Sequence, residues 1–242
     1  MRIITAAIQK GGTAKTVTTA ALAQAAAKQG RRVLAIDLDP QGNLSFTLGA
    51  NATGPGSFEL LQGTPAASII QHTPAGVDVI PASIGLATAK TEAGSARRLA
   101  KALQPVKGYS VVFIDTPPTA GELQYNALQA ATGLIIPLQA DVYNLQGLYQ
   151  MIDTARQIMR TNPALKIEGV IFTNYDSRST IARQMRQTIT DKAAEMGVPC
   201  LGTVRGAAVI KEAAALQQSL YDYAPKSKPA ADYMAILEAL KL

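Results

Sequence analysis

Apolar residues fall in short unbroken runs along this chain, and most runs are followed by a stretch with helical spacing. Arg2 to Ile8, Val33 to Ile36, Val77 to Ile80, Ser110 to Ile114, Leu134 to Leu138, Lys166 to Thr173 and Val198 to Val204 have the length and content of buried strands. Between them, Lys15 to about Lys28 is Ala-rich and reads as a helix ended by Gly30. Residues 87–104 carry an Ala/Leu pattern with Lys90, Arg97, Arg98 and Lys101, the pattern of a surface helix with a solvated basic face. Leu123 to Ala130 is helical. Leu145 to Met159 places Leu145, Leu148, Ile152, Ala155, Ile158 and Met159 on one face. Thr180 to Met196 ends at Gly197, and Val209 to Gln217 is a shorter helix. Pro229 opens a last helix at its N1 position.

The irregular parts are residues 44–75, with short helices at Phe58–Leu61 and Ala66–Gln71, and the polar, basic connection Tyr221 to Lys228. Strands otherwise alternate with helices, with no repeat and no linker. This predicts one α/β domain over residues 1–242, its mainly parallel sheet covered on both faces. The first run begins at once, so neither a DNA-binding extension nor a cleaved signal is expected ahead of it.

Composition narrows the chemistry. Of the 242 residues 48% are hydrophobic and 17% charged, an ordinary globular balance with enough chain for a large core. Trp is absent and aromatics are 5%, which argues against a stacking platform for single-stranded nucleic acid. The net charge of +6 leans toward polyanions. The lone cysteine, Cys200, excludes an intramolecular disulfide and a four-cysteine metal site, and is expected to be buried. The lone histidine, His72, lies in a polar loop. No run approaches the 18 apolar residues of a membrane span, so the expected location is cytoplasmic.

The chemistry gathers at strand ends. After the first strand come Gln9-Lys10-Gly11-Gly12-Thr13-Ala14-Lys15-Thr16 and then a helix, the layout of a P-loop. Such a loop aims backbone N–H groups at an anion, and the helix dipole favours negative charge there. Lys15 would add a full charge at β and γ phosphates, and the Thr16 hydroxyl a ligand for Mg²⁺. Ala14 stands where the general pattern has glycine. Where the loop demands positive φ, a Cβ at that position costs about 1 kcal/mol. Read by itself, the segment is also compatible with an ordinary β–α turn. Asp37 and Asp39 leave the second strand on one side of an extended segment. Asp115 ends the strand of Ser110–Ile114, as an Mg²⁺-supporting carboxylate would.

Taken together, these segments resemble one family. Lys10-Gly-Gly-Thr-Ala-Lys15-Thr16 resembles the deviant Walker A motif, K-G-G-x-G-K-T, of ParA/MinD ATPases, with Ala14 and Val17 as departures. Asp37-Leu-Asp39-Pro-Gln-Gly-Asn43 is similar to the D-x-D-P-Q-G-N segment of ParA/Soj proteins. Asp115-Thr-Pro-Pro118, Pro137-Leu-Gln-Ala-Asp141 with Leu145-Gln-Gly-Leu148, Thr173 to Arg178, Glu212-Ala213 and Tyr223 to Lys228 resemble its later motifs.

The resemblance spans nearly the whole chain. It implies a P-loop NTPase three-layer α/β sandwich with a mainly parallel central sheet, and ATP and Mg²⁺ as cofactors. Lys10, Gly11, Gly12, Thr13, Ala14, Lys15, Thr16 and Val17 would surround the phosphates, with Asn174 and Arg205 near the base. Thr16, Asp37 and Asp115 would serve the metal. Lys10, Lys15 and Asp39 would serve hydrolysis, Lys10 by reaching the partner subunit's nucleotide in an ATP-sandwich homodimer. The family also implies non-specific binding of double-stranded DNA at the nucleoid and a ParB-like stimulating partner. Arg178, Arg183, Arg186, Lys211, Lys226 and Lys228 are the candidate DNA-facing cations. Two rival readings are a MinD-like membrane-positioning ATPase and a pseudo-ATPase that binds without turnover. The first lacks a basic amphipathic end, since the last helix has only Lys241 near its terminus.

Overall fold

The computed structural model describes residues 1–88 and 95–242, and Lys90 of the predicted 87–104 helix lies outside them. The strands are β1 (Arg2–Ala6), β2 (Val33–Asp37), β3 (Gln71–His72), β4 (Asp78–Ile80), β5 (Val111–Asp115), β6 (Gly133–Leu138), β7 (Lys166–Tyr175) and β8 (Cys200–Arg205). They form one sheet in the order β3-β4-β2-β5-β1-β6-β7-β8. The pairing is parallel throughout except between β3 and β4. Every residue of β2, β5 and β6 is buried, as parallel strands covered on both faces require.

Side chains alternate between the two faces with the strand period of two. Val33, Ala35, Val111 and Phe113 face a core shared with the long Ala-rich helix α1 (Lys15–Lys28). Leu34, Ile36, Val112 and Ile114 face the opposite way. Ala20, Ala21, Ala23, Ala25 and Ala26 are buried, and so small a residue lets α1 lie close to the sheet. Gly30 ends α1 at φ 79°, donating to Ala27 O at 2.8 Å while Arg31 donates to Ala26 O at 3.1 Å. That is a Schellman close.

Short helices α2 (Asn43–Thr47), α3 (Ser57–Leu61) and α4 (Arg98–Leu103) are followed by α5 (Glu122–Ala130), α6 (Val142–Met159) and α7 (Thr180–Glu195). The chain closes with α8 (Ala208–Ala215), α9 (Leu220–Tyr223) and α10 (Lys228–Ala239). Helices α3, α4 and α5 cover one half of the face opposite α1, and α6 and α7 cover the other. α10 lies on β8 and α1, burying Tyr233, Ile236, Leu237 and Leu240. At Gly202 of β8 the approach is so close that a Cβ would meet Ile236 Cγ1 at 2.7 Å.

The structure corrects the predicted elements in several places. Ala66–Gln71 is not one helix: a 3₁₀ turn spans Ala66–Ser68, and Gln71 then enters edge strand β3. The Gln71 amide exchanges hydrogen bonds with the Asn51 backbone at 2.8 Å each way, and His72 pairs with Asp78. The connection before α10 contains the turn α9, capped by Ser219 and anchored by buried Leu220 and Tyr221. Pro229 is the second residue of α10 rather than the first, with Ser227 capping Ala230 N. Cys200 is half-buried rather than buried. Of the 87–104 helix, the described part is α4 and the 3₁₀ turn Ser95–Arg97 before it.

The seat of α10 yields a measurable expectation. Ile236 is 1% exposed against β8 and α1. Ile236→Ala is expected to lower stability by about 2–5 kcal/mol, read from urea unfolding monitored by circular dichroism.

Candidate functional site

In a parallel sheet, every strand delivers its outgoing loop to the same edge. β1, β2, β5, β6, β7 and β8 therefore bring residues 7–14, 38–42, 116–121, 139–141, 176–179 and 206–207 to one rim. Open α/β sheets bind ligands along this edge, where the strand order reverses. Here the chain works outward from β1 to one side, then returns at β6 on the other.

The loop after β1 turns through two left-handed residues, Gly12 at φ 73° and Ala14 at φ 62°. The conformation that makes glycine favourable at position 14 is therefore adopted by an alanine. Ala14 precedes α1 as its N-cap without a capping side chain, so the N–H groups of the first turn face the loop. Its carbonyl accepts from Thr18 N at 2.9 Å. Gly11 and Gly12 are exposed, whereas Thr13 and Lys15 are buried. Val17 is half-buried and packs on the core of α1. The Lys15 ammonium donates to Lys10 O at 3.0 Å. Burial lowers its pKa, against the pull of Asp115 and Asp39.

The acidic side of the site comes from β2 and β5. Asp37 and Asp115 are register partners, and Ala6 of β1 pairs with Asp115 on its other side. Thr16 Oγ1 donates to Asp115 Oδ2 at 2.6 Å. The other oxygen, Asp115 Oδ1, is buried without a partner. A fully desolvated carboxylate oxygen left unbonded is costly unless a cation or a donor meets it. Asp37 has no such free oxygen. Oδ1 accepts from Asp39 N at 3.1 Å, and Oδ2 accepts from Ser45 N and Oγ at 2.8 and 2.7 Å. Both its oxygens hold the 37–45 segment, so of the metal or switch support expected of Asp37 the structure displays the support of this segment. Asp39 lies beside it and accepts from Gln41 N at 3.0 Å. Burial pushes the Asp37 carboxyl up to about 6, and burial together with the Asp37 charge pushes Asp115 well up.

Lys10 points to Asp141, the N-cap of α6, with Nζ to Oδ1 at 3.1 Å, and lies over the Tyr143 ring at 5.6 Å. Gln139 Nε2 donates to Gly12 O at 2.8 Å, and Thr173 Oγ1 donates to Thr13 O at 3.0 Å. Gln139, Asp141, Ser45 and Thr173 are site-supporting residues that sequence reasoning passed over. Asp141, Gln139 and Thr173 stood inside quoted motifs, whereas Ser45 carries no signal without the fold. On the other wall, Asn174 takes φ 49° and is exposed. The Arg205 guanidinium is engaged: it binds Asp232 through Nε at 3.0 Å and Nη2 at 2.6 Å. Arg205 thus supports the wall rather than offering a free side chain.

The six candidate DNA-facing cations are not equivalent. Lys211, Lys226 and Lys228 are exposed. Arg178 is exposed but paired with Asp176 at 3.0 Å, and Arg183 folds back on the Ser177 carbonyl at 2.8 Å. Arg186 departs from the expectation. It is half-buried over the rings of Phe172 and Tyr175 and donates to Thr203 Oγ1 at 3.1 Å. It serves as packing between α7 and the sheet.

Two stability measurements follow for the protein free of nucleotide and Mg²⁺. Ala14→Gly removes a left-handed Cβ and is expected to stabilise by about 1 kcal/mol, read from denaturant midpoints. The raised carboxyls set a pH slope. A group with pKa 3.8 unfolded and about 6 folded binds its proton more readily in the native state. Its stabilising contribution is complete below the unfolded value and is lost as pH rises through the folded one. The melting temperature should therefore rise from pH 7 to pH 5. Asp115→Asn removes one charge of the pair, so it should flatten that slope and raise the pH 7 melting point by about 2–4 °C.

Residues 1–167 match the family model described as AAA domain. A chromosome-partitioning ATPase Soj of Thermus thermophilus is 36% identical over 241 residues, covering 98% of this chain and 94% of that protein. The crystal structure of cobyrinic acid a,c-diamide synthase from Mycobacterium smegmatis, with bound ATP analogue and magnesium, matches with a TM-score of 0.86 at 35% identity. That match covers 100% of this chain and 94% of the other. The septum site-determining protein MinD of Pyrococcus horikoshii, complexed with Mg-ADP, matches with a TM-score of 0.80 at 26% identity, covering 98% and 94%. The loop, its paired carboxylates and a relative aligned nearly end to end agree: the chain belongs to the ParA/Soj-type family of P-loop partitioning ATPases.

Proposed function

We propose that this chain is a DNA-partitioning ATPase that dimerises around ATP and Mg²⁺, binds double-stranded DNA without sequence preference, and is stimulated by a ParB-like partner. Its place of action is the cytoplasm, at the nucleoid. The observation that carries the reading is the Thr16–Asp115 pair. A hydroxyl at the head of α1 touches a buried carboxylate whose second oxygen has no partner, beside a buried ammonium. That donor set suits a hydrated Mg²⁺ next to a triphosphate.

Each residue then has a role. The N–H groups of residues 11–16 cradle the phosphates, and Lys15 moves from Lys10 O to the β and γ oxygens. Thr16 and Asp115 would hold Mg²⁺, which would offset the negative charge of the phosphates. ATP supplies the phosphoryl group that is transferred. Asp39 orients the attacking water from a segment that Asp37 and Ser45 keep in place. Lys10 leaves Asp141 to reach the nucleotide across the dimer. Asn174 reads the base, and the Arg205 segment walls it. Exposed Arg178, Arg183, Lys211, Lys226 and Lys228 face DNA. A dimer doubles the phosphate contacts Z, and the salt slope of about −0.9Z doubles with it.

α10 offers no free apolar face to a membrane, since its apolar residues pack on β8 and α1. Among the described residues no helix is long and apolar enough to cross a membrane. The pseudo-ATPase reading rests on Ala14 and is addressed by the same assay. With Mg²⁺-ATP and plasmid DNA, we expect ATP-dependent retention on DNA that weakens steeply with salt. Asp39→Ala should keep nucleotide binding but lower turnover by at least about tenfold, since orientation of the water is lost. Lys10→Ala should bind ATP yet remain monomeric in light scattering. Nucleotide binding without turnover would favour the pseudo-ATPase, and ATP-independent DNA retention would sink the switch.

A further inference from the structure

Away from the rim lies a basic element that the nucleotide site does not use. The cations of α4 and of the turn before it have different surroundings. Arg97 donates to Thr161 O at 3.1 Å. Arg98 and Lys101 instead line a cavity of about 660 Å³ between α4 and the end of α3, with buried Leu60 and Leu61 and half-buried Ala102. A second cavity of about 460 Å³ adjoins it at Pro65 and Pro105, which line both. There Ile70, Val106 and Tyr109 supply apolar surface, and Arg32 and Lys107 supply charge. Arg32 and Lys107 precede β2 and β5, so this groove reaches the end of the sheet opposite the nucleotide rim.

The groove carries charge of one sign. No Asp or Glu occurs in residues 60–77 or 95–114, the two stretches that form most of its sides. The carboxylates that flank the first stretch are engaged elsewhere. Glu59 accepts from Gly56 N and Ser83 Oγ, each at 2.8 Å, and Asp78 accepts from the Tyr109 hydroxyl at 2.7 Å and pairs with His72. Arg32 stacks on the Tyr109 ring, 4.8 Å from its centroid. Lys101 and Lys107 are exposed and make no ion pair among the described residues. Exposed Pro65 and Pro105 add apolar surface where the two cavities meet. An apolar strip edged by uncompensated cations attracts a ligand that is both apolar and anionic.

We propose that this groove docks an acidic amphipathic segment of a partner protein, its apolar side chains on Ala102, Pro65 and Pro105 and its carboxylates on Lys101 and Lys107. A small-molecule site encloses its ligand and fixes it with a few buried polar groups. Here the lysines lie on an exposed edge and the interior is apolar, which is the arrangement of a peptide groove. A nucleic-acid backbone would match the charge but leave the apolar strip uncovered. The groove and the rim lie at opposite ends of the strands, so a segment docked here leaves the P-loop open. A partner held at this end can therefore stay bound while the nucleotide site fills and empties.

The test is fluorescence anisotropy of the full chain with a labelled peptide in which leucine pairs alternate with glutamate pairs, beside a counterpart with lysine in place of glutamate. The acidic peptide should bind, less tightly as salt rises, and the lysine peptide should not. Lys101→Glu combined with Lys107→Glu should weaken the acidic peptide by at least about tenfold and admit the lysine peptide. Ala102→Arg adds a cation yet fills the groove, so it should also lose the acidic peptide. Both variants should keep the melting temperature, since they alter exposed or half-buried positions. No binding of the acidic peptide to the unsubstituted chain overturns the inference. So does binding that survives the double lysine change, or that survives Ala102→Arg and so depends on charge alone. Retention on phosphatidylglycerol vesicles or duplex DNA that falls in the double lysine variant, with the acidic peptide unbound, assigns the face to those polyanions and overturns it too.

Discussion

Two carboxylates at paired positions of β2 and β5, both without solvent exposure, make the central demand on this fold. Burying one charge is expensive, and burying a second beside it adds repulsion. Asp37 meets the demand with three hydrogen bonds from the 39–45 segment, which is why that segment has a defined path at all. Asp115 meets only half of it. Thr16 serves one oxygen, and the nearby Lys15 charge supplies the remaining compensation. The same asymmetry separates the two in function: the satisfied carboxylate shapes a loop, and the unsatisfied one has capacity for a cation. A site arranged this way is held in tension until its ligand arrives, and stability is exchanged for binding.

The P-loop shows a second local conflict of the same kind. Gly12 takes its left-handed turn freely, and Ala14 takes its turn against its own Cβ. The strain persists because both ends are fixed. Gln139 and Thr173 bond the loop carbonyls of Gly12 and Thr13, and α1 begins one residue later, buried between the sheet and α10. Strain of this size survives only where surrounding contacts over-determine the backbone.

Much of the architecture was legible because fully buried parallel strands leave unbroken apolar runs. β2, β5 and β6 were found almost residue for residue, and with them the loops that carry Asp37, Asp115 and Lys15. What was not legible depends on partners distant in sequence. β3 exists because Gln71 meets Asn51 and His72 meets Asp78. α2 is itself held by Asp37, through Ser45. Arg186 reads as one more surface cation on an amphipathic helix, and only the fold brings Phe172, Tyr175 and Thr203 around it. Arg205 was expected near the base, and the direction of its side chain is decided by Asp232, 27 residues later. Motif spacing locates a loop; it does not say which way a long side chain turns.

That last point bears on how a weakly basic surface could be switched. The cations proposed to face DNA are modest in number, and the structure already engages two of them, Arg178 with Asp176 and Arg183 with the Ser177 carbonyl. An exposed pair of this kind is worth little by itself, and a phosphate can replace the carboxylate at small net gain. Under the proposed function, the engaged pair would add little to what a single subunit gathers from Lys211, Lys226 and Lys228. Affinity that grows as a power of the number of phosphates neutralised turns such a surface into a poor binder alone and a strong one when doubled. Lys10 is engaged in the same way, held by Asp141 and the Tyr143 ring within its own subunit. In the proposed cycle, Lys10 at the dimer contact and Arg178 and Arg183 at the DNA contact each begin by displacing an internal partner. Under that proposal, weak DNA binding by a lone subunit would follow in part from those internal pairs, and nucleotide-driven doubling of the surface would be what overcomes it.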